Sequence, residues 1–234
     1  MSIEVSLVGL KNKMVAQTHK SRVIANNLAN INTTGFKKDK MFYGVLEQNI
    51  QMRLETDFSQ GALVQTSNPL DFAISGRGFF TVETDDGEAY TRDGHFTAGT
   101  DGILRTRNGN PVLGYGGWIN ISTDGMKVGK ITVNMHGEVF VDDVLIDTLR
   151  IVDFDPLSEL KKSGQNLLVA GGNVISREKD SSTVLQGKLE KSNVNPANEL
   201  INLIELQRQF ESAKKAMQAI EEALKKAATQ VSRF

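Results

Sequence analysis

The chain has 234 residues, no cysteine, and a formal net charge of −1 from 27 basic and 28 acidic side chains. That length can bury one large core or two smaller ones. The missing thiols exclude a disulfide scaffold, a cysteine-ligated zinc and thiol catalysis, and near-zero charge argues against a dedicated nucleic-acid binder. The averages conceal a partition. Of 21 glycines, one (Gly9) precedes residue 35, 20 lie from Gly35 to Gly187, and none follows. Residues 1–40 carry a net +5, residues 41–187 a net −8 and residues 188–234 a net +2.

The N-terminal segment reads as one long helix over residues 3–31. Ile3, Leu7, Leu10, Met14, Gln17, Ser21, Ile24, Leu28 and Ile31 recur in alternating steps of four and three, the a/d pattern of a coiled coil. Gln17 and Ser21 are polar and weaken the seam in its middle, while Lys11, Lys13, Lys20 and Arg22 occupy the other face. The start lacks the basic region and small-residue cleavage site of a secretory signal, so no cleaved signal peptide is expected. No run approaches ~18 consecutive apolar residues, so no direct membrane insertion is expected either.

Residues 35–61 read as a connector, where Phe36, Phe42, Val45 and Leu46 could pack but no single period dominates. Residues 62–187 read as a β-rich domain. Asp86-Gly87, Asp93-Gly94, Asp101-Gly102, Asn108-Gly109 and Asp124-Gly125 supply tight turns. Between them lie short strand-like runs such as Phe79–Val82, Ala89–Thr91, Ile131–Val133, Val139–Val141 and Leu149–Val152. Frequent turns between short strands indicate antiparallel pairing rather than βαβ units. Gly76-Arg77-Gly78 lacks the third glycine of a phosphate loop and reads as a turn entering a strand. His19, His95 and His136 have no ligand spacing, and the acidic residues of this region are spread along it, several of them (Asp86, Asp93, Asp101, Asp124) in turns. No catalytic constellation, metal set or cofactor motif emerges, so the expectation is a non-enzyme without cofactors.

Residues 188–234 carry the second helix. Asn195-Pro196 supplies a cap followed by proline at the first helical position. Leu203, Leu206, Phe210, Ala213, Met217, Ile220, Leu224, Ala227, Val231 and Phe234 then step three and four without error over about 37 residues. A chain that leaves along one helix and returns along the other makes them antiparallel partners. Val8, Val15, Val23, Ile201 and Ile204 widen the stripes beyond a two-stranded seam, which predicts more than one neighbour per helix. The plainer alternative is a helical hairpin folded back on its own domain. The expected class is therefore α+β: long terminal helices forming an antiparallel coiled coil with neighbours (residues 1–34 and 188–234), around a central antiparallel β-domain.

The run Ala25-Asn26-Asn27-Leu28-Ala29-Asn30-Ile31-Asn32-Thr33-Thr34-Gly35-Phe36-Lys37 resembles the N-terminal signature of the bacterial flagellar basal-body rod and hook family. Leu189-Glu190-Lys191-Ser192-Asn193-Val194-Asn195-Pro196 and Gln207–Glu211 resemble its second signature. Gln60-Gly61, Asn68–Ile74, Gly76–Phe80 and Tyr90–Phe96 match in the middle, so the resemblance spans essentially the whole chain. The nearest look is to proximal-rod members, with distal-rod members second. The resemblance implies a non-enzymatic subunit that polymerises with itself and with other proximal and distal rod proteins. It also implies passage through the flagellar type III export apparatus. Asn26, Asn27, Asn30 and Asn32 are costly in an isolated helix and become sensible if their amides reach neighbouring subunits. Gly35 permits a sharp exit, Phe36 anchors in apolar surface, and Lys37 stays solvated or meets an acidic neighbour. Thr33, Ser192, Asn193, Val194 and Asn195 complete the expected assembly signature. The competing reading is a homo-oligomeric coiled-coil module that presents a β-domain for binding.

Overall fold

The computed structural model describes residues 3–46, 49–122, 129–171, 175–178 and 182–231, and the side chains of 3–7, 43–50, 175–178 and 227–231 lie outside that description. The chain forms two compact units. One contains Met1–Asn30, Lys38–Asp57 and Val194–Phe234; the other contains Ile31–Lys37 and Phe58–Asn193.

The first unit holds two helices, α1 (Ile3–Ala29) and α2 (Pro196–Val231), and an antiparallel hairpin of Asp39–Leu46 with Asn49–Thr56. The proline start of α2 is capped as its sequence demands, with the Asn198 amide donating to Asn195 Oδ1 at 3.2 Å. The helices run antiparallel: Ser21 lines one groove with Leu206, and Leu10 lines another with Ala213 and Ala216. The heptad rows face each other. Ile24, Leu206 and Ala213 are buried, with Leu10, Met14, Leu28, Leu203, Met217 and Ile220 half-buried beside them. Gln17 does not loosen the seam as its polarity suggests. It is 2% exposed and donates from Nε2 to Gln209 Oε1 at 3.3 Å. Phe210 and Leu224 belong to the row but are exposed. Phe210 sits on the flank of the contact line, and Leu224 lies where the shorter α1, 27 residues against 36, runs out. The row positions Ile3, Leu7, Ala227, Val231 and Phe234 fall outside the described side chains.

The hairpin replaces part of the expected connector. Its register runs from Asp39↔Thr56 to Leu46↔Asn49. The Asn27 side chain ties it to α1, donating to the Asp39 carbonyl at 2.8 Å and accepting the Asp39 amide at 2.9 Å. Thr56 Oγ1 donates to Asp39 Oδ1 at 2.8 Å, closing the base of the hairpin.

The second unit is built of short antiparallel strands. A six-stranded sheet has the order Leu160–Gly164, Leu167–Ala170, Gly87–Thr91, Phe79–Thr84, Ile151–Asp155, Ile175–Glu178. A three-stranded sheet comprises Ile131–Val133, Glu138–Val141 and Val144–Thr148. Alternating side chains project to opposite faces of a strand, and here both faces of the larger sheet are apolar. Phe80, Val82, Ala89 and Ile151 enter a large core with Phe72, Phe96, Ile119 and Val184. Phe79, Tyr90, Val152 and Phe154 form a second core with Leu160 and Leu168. The strand-like runs named from sequence all fall on strands or bridges of this unit. Two of its hairpins turn without glycine, through Asp142-Asp143 and Gln165-Asn166, all four at positive φ. Asp124-Gly125 lies outside the described residues.

Candidate assembly site

The matched signatures meet inside the β-unit around one carboxylate. Glu190 ends the strand Lys188–Glu190, which pairs with Leu63–Gln65. Its Oε1 accepts Lys37 Nζ at 2.5 Å and the Gly61 amide at 2.8 Å, and its Oε2 accepts Arg92 Nη1 at 3.1 Å. Its main-chain carbonyl accepts the Gly35 amide at 2.7 Å. Lys37, Arg92 and Glu190 are exposed by only 3%, 5% and 1%. Two buried cations thus share one anion, main-chain carbonyls take further donors of both, and Arg92 Nε is buried without a partner. Lys37 Nζ also donates to the Ser59 carbonyl at 2.8 Å, and Arg92 Nη2 to the Gly76 carbonyl at 2.7 Å. Burial draws the Arg92 pKa down from its ordinary value, and Glu190 opposes that shift.

Local geometry delivers these groups. Gly35 has φ +66°, and a Cβ there would stand 2.3 Å from the Arg92 main-chain carbon, so only glycine lets the signature loop turn against that strand. A Cβ on Gly61 would fall 1.9 Å from the Lys191 carbonyl oxygen. Phe36 is buried beneath the Lys162 ammonium, which lies 4.4 Å from its ring centroid. Lys162 Nζ also donates to the Lys37 carbonyl at 2.6 Å. Thr34 Oγ1 donates to Asp93 Oδ1 at 2.6 Å, Asn166 Nδ2 to the Thr34 carbonyl at 2.5 Å, and Asn193 Nδ2 to the Ser59 carbonyl at 3.1 Å.

The expected roles of several signature residues change accordingly. Of the two surroundings expected for Lys37, water or an acidic neighbour, it has the second, an internal ion pair with Glu190. The Asn27 amide is used up on the Asp39 main chain, and Asn30 Nδ2 donates to the Asn26 carbonyl at 2.9 Å, so these two amides serve the chain's own fold. A buried or back-bonded amide loses more by leaving its partner than a surface contact returns. Asn26, Ala29 and Asn32 are exposed, Leu28, Thr33, Ser192 and Asn193 half-buried, and Val194 buried. Glu190 and Arg92 stand inside the matched runs, yet the sequence assigned neither a role. Both sit among other polar and charged residues, Lys188 and Lys191 beside Glu190 and Asp93 beside Arg92, and lie 98 residues apart, so no local signal marked them as a pair.

On the helices, four of the five additional apolar residues point outward: Val8, Val15, Ile201 and Ile204 are 45–55% exposed, whereas Val23 is half-buried; Leu200, Phe210 and Leu224 are exposed as well. Unlike the β-unit, this surface offers apolar contact rather than chemistry. Of the histidines, His95 Nδ1 pairs with Asp71 Oδ1 at 2.8 Å, whereas His19 and His136 are exposed.

Three family descriptions match along the chain. They are "Flagella basal body rod protein" over residues 14–37, "Flagellar hook protein FlgE/F/G D1 domain" over 73–141, and "Flagellar basal body rod FlgEFG protein C-terminal" over 185–230. The flagellar basal-body rod protein FlgF of Caulobacter vibrioides is 36% identical over 224 residues, covering 90% of each chain. The chain belongs to the flagellar basal-body rod protein family. Its similarity extends to the rod protein FlgG of Buchnera aphidicola from Acyrthosiphon pisum, 33% identical over 262 residues with 96% of this chain and 97% of the relative covered. FlgG of Bacillus subtilis is 33% identical over 260 residues, with 95% and 96% covered. As a rod protein the chain is structural rather than enzymatic. The outer two family matches contain Lys37 and Glu190, and the middle one contains Arg92, so each of the three regions contributes one charge to the buried cluster.

Proposed function

We propose that this rod protein is a subunit of the proximal rod, of the FlgF type. Its terminal helices bundle with those of neighbouring subunits as a coiled-coil core around an export channel, and its β-unit packs outside them. The observation that carries the assembly role is the outward row Val8, Val15, Leu200, Ile201 and Ile204 on a helix pair that has already buried its inner seam. Apolar surface of that extent on paired helices is stabilised by further partners. The FlgF assignment is supported by compactness. The Caulobacter FlgF alignment closes in 224 positions, whereas the FlgG alignments of Buchnera and Bacillus run to 262 and 260.

In this reading residues 1–34 and 188–234 are axial elements, 35–61 links them to the outer domain, and 62–187 is that domain. The exposed members of the signature, Asn26, Ala29 and Asn195, and the outward row make the assembly surface, while the inner seam holds the helix pair that presents it. The chain reaches the rod through the flagellar type III export apparatus, contacts other proximal and distal rod proteins and itself, and transmits torque to the hook. Swimming of a strain lacking its own proximal-rod gene tests the reading. The intact chain should restore motility. Leu206→Asp or Leu28→Asp should abolish it while the β-unit keeps its thermal transition. Normal swimming by both variants would remove the role given to the seam.

A further inference from the structure

The strand Val144–Thr148 lies at the edge of its three-stranded sheet, and the chain covers only part of that edge. On the inner side Glu138–Val141 pairs with it, and the Leu149 amide donates to the Gly137 carbonyl at 2.8 Å. On the outer side Leu113–Tyr115 runs antiparallel to Thr148–Arg150. The Tyr115 amide donates to the Thr148 carbonyl at 3.1 Å, and the Arg150 amide to the Leu113 carbonyl at 3.1 Å. The covering segment then departs at Gly116, whose amide donates to Asp147 Oδ2 at 3.1 Å. Among the described residues no strand continues its line beside Val144–Ile146.

The main-chain groups of an open edge are a template for another strand, and the side chains here favour one. Val144, Leu145 and Ile146 are 62%, 52% and 41% exposed. Successive strand residues point to opposite faces, so an added strand meets apolar groups above and below. Native edges are often closed by lysine, yet residues 142–148 contain no base, and Asp142, Asp143 and Asp147 bracket the apolar run. Lys130 reaches Asp142 through its main-chain amide at 2.8 Å, and Arg150 is committed to Glu88. We propose that Val144–Ile146 is a docking edge for an extended segment of another protein, a short apolar run flanked by lysine or arginine. It adds as the next strand in line with Leu113–Tyr115. Its main chain pairs with the open edge, its apolar residues cover the exposed run, and its flanking bases meet Asp143 and Asp147. A second copy fits poorly: pairing this edge with itself about Leu145 sets Asp143 against Asp147, and like charges directly opposite are destabilising. The edge belongs to the β-unit, so it is independent of the assembly role given to the helices.

The test titrates the intact chain against a short fluorescent peptide of valine and threonine flanked by lysines, read by anisotropy. A twin flanked by glutamates should bind about tenfold more weakly. Two further lysine peptides carry N-methyl groups on alternate residues, one in each phase. The phase that blocks the edge-facing amides should lose about tenfold in affinity, and the other should bind as the parent does. Leu145→Lys closes the edge as native edges are closed and should abolish binding. Asp143→Lys should weaken the lysine peptide and favour the glutamate one. Both residues are exposed, so the urea transition read from Trp118 should stay in place; if Leu145→Lys moves it, Asp143→Lys decides. Equal binding of the lysine and glutamate peptides, equal affinity of the two methylated phases, or binding indifferent to these substitutions would overturn the proposal. So would a dimer in sedimentation that Leu145→Lys disperses, because the edge would then serve a second copy. None of these results bears on motility complementation, which tests the rod reading by itself.

Discussion

The two units solve the burial problem in opposite ways. The β-unit closes on itself: both faces of its main sheet are covered, and its buried charges share partners around Glu190. The helical unit spends its best apolar row on one seam and leaves a second row in solvent, together with a buried amide oxygen lacking a donor. The contrast is one of degree, because the β-unit keeps unpartnered buried atoms of its own, Thr66 Oγ1, Arg92 Nε, Ser122 Oγ and Ser182 Oγ, and an exposed apolar run at Val144, Leu145 and Ile146.

Four outcomes would break or sharpen that contrast. Glu190→Gln removes the anion between two buried cations, and uncompensated buried charge typically destabilises by ~3–5 kcal/mol. Urea titration read from the single tryptophan, Trp118 of the β-unit, should register a loss of that size. A smaller effect belongs to Gly61→Ala. Its added carbon meets the Lys191 carbonyl oxygen, and forced backbone movement should cost about 1–3 kcal/mol in the same titration. Ile204→Ser should do almost nothing to the isolated chain, within about 0.5 kcal/mol as for other surface changes, yet reduce motility. An equal loss of stability would mean that this residue already has its partner.

The smallest effect concerns Asp101. Its carboxyl is held below the ordinary value of 3.8 by the hydrogen bond from Arg105. A depressed folded-state pKa gives stability that is present above the unfolded value and lost as pH falls through the lower folded one. Arg105→Ala should therefore lower stability slightly at pH above about 4, neutral pH included, and the two stability curves should converge on the acid side. The pair is exposed, so the difference between wild type and variant should be slight.

Much of this architecture could be read in advance, and the parts that could not share a cause. Helix periodicity is local, so α1, the cap at Asn195 and the seam through Leu206 and Ala213 were all legible. Strand composition located Phe79–Thr84 and Ile131–Val133 for the same reason. The hairpin Asp39–Thr56 escaped because its residues alternate poorly between apolar and polar; Phe42, Met52 and Leu54 are exposed rather than buried against one face. The Asp142-Asp143 turn carries no glycine to mark it, although Asp tolerates positive φ. At the site, the matched runs picked out Lys37 and Gly35 but left open whether Lys37 meets water or an acid. Whether a lysine meets water or Glu190 depends on a residue 153 positions away, which no window along the chain can see.

That separation has a consequence for the order of events. Lys37 is among the first residues of the β-unit and Glu190 among the last, and Val184 of its core is also supplied late. Contacts so far apart in sequence make closure slow, because the loop between them loses its freedom before they form. A chain that emerges from one end therefore cannot complete this domain until nearly all of residues 31–193 are free at once. Until then Lys37 and Arg92 have no shared anion and favour water over the interior. The charge cluster is thus a late fastening: it can form only when both ends of residues 31–193 are present together.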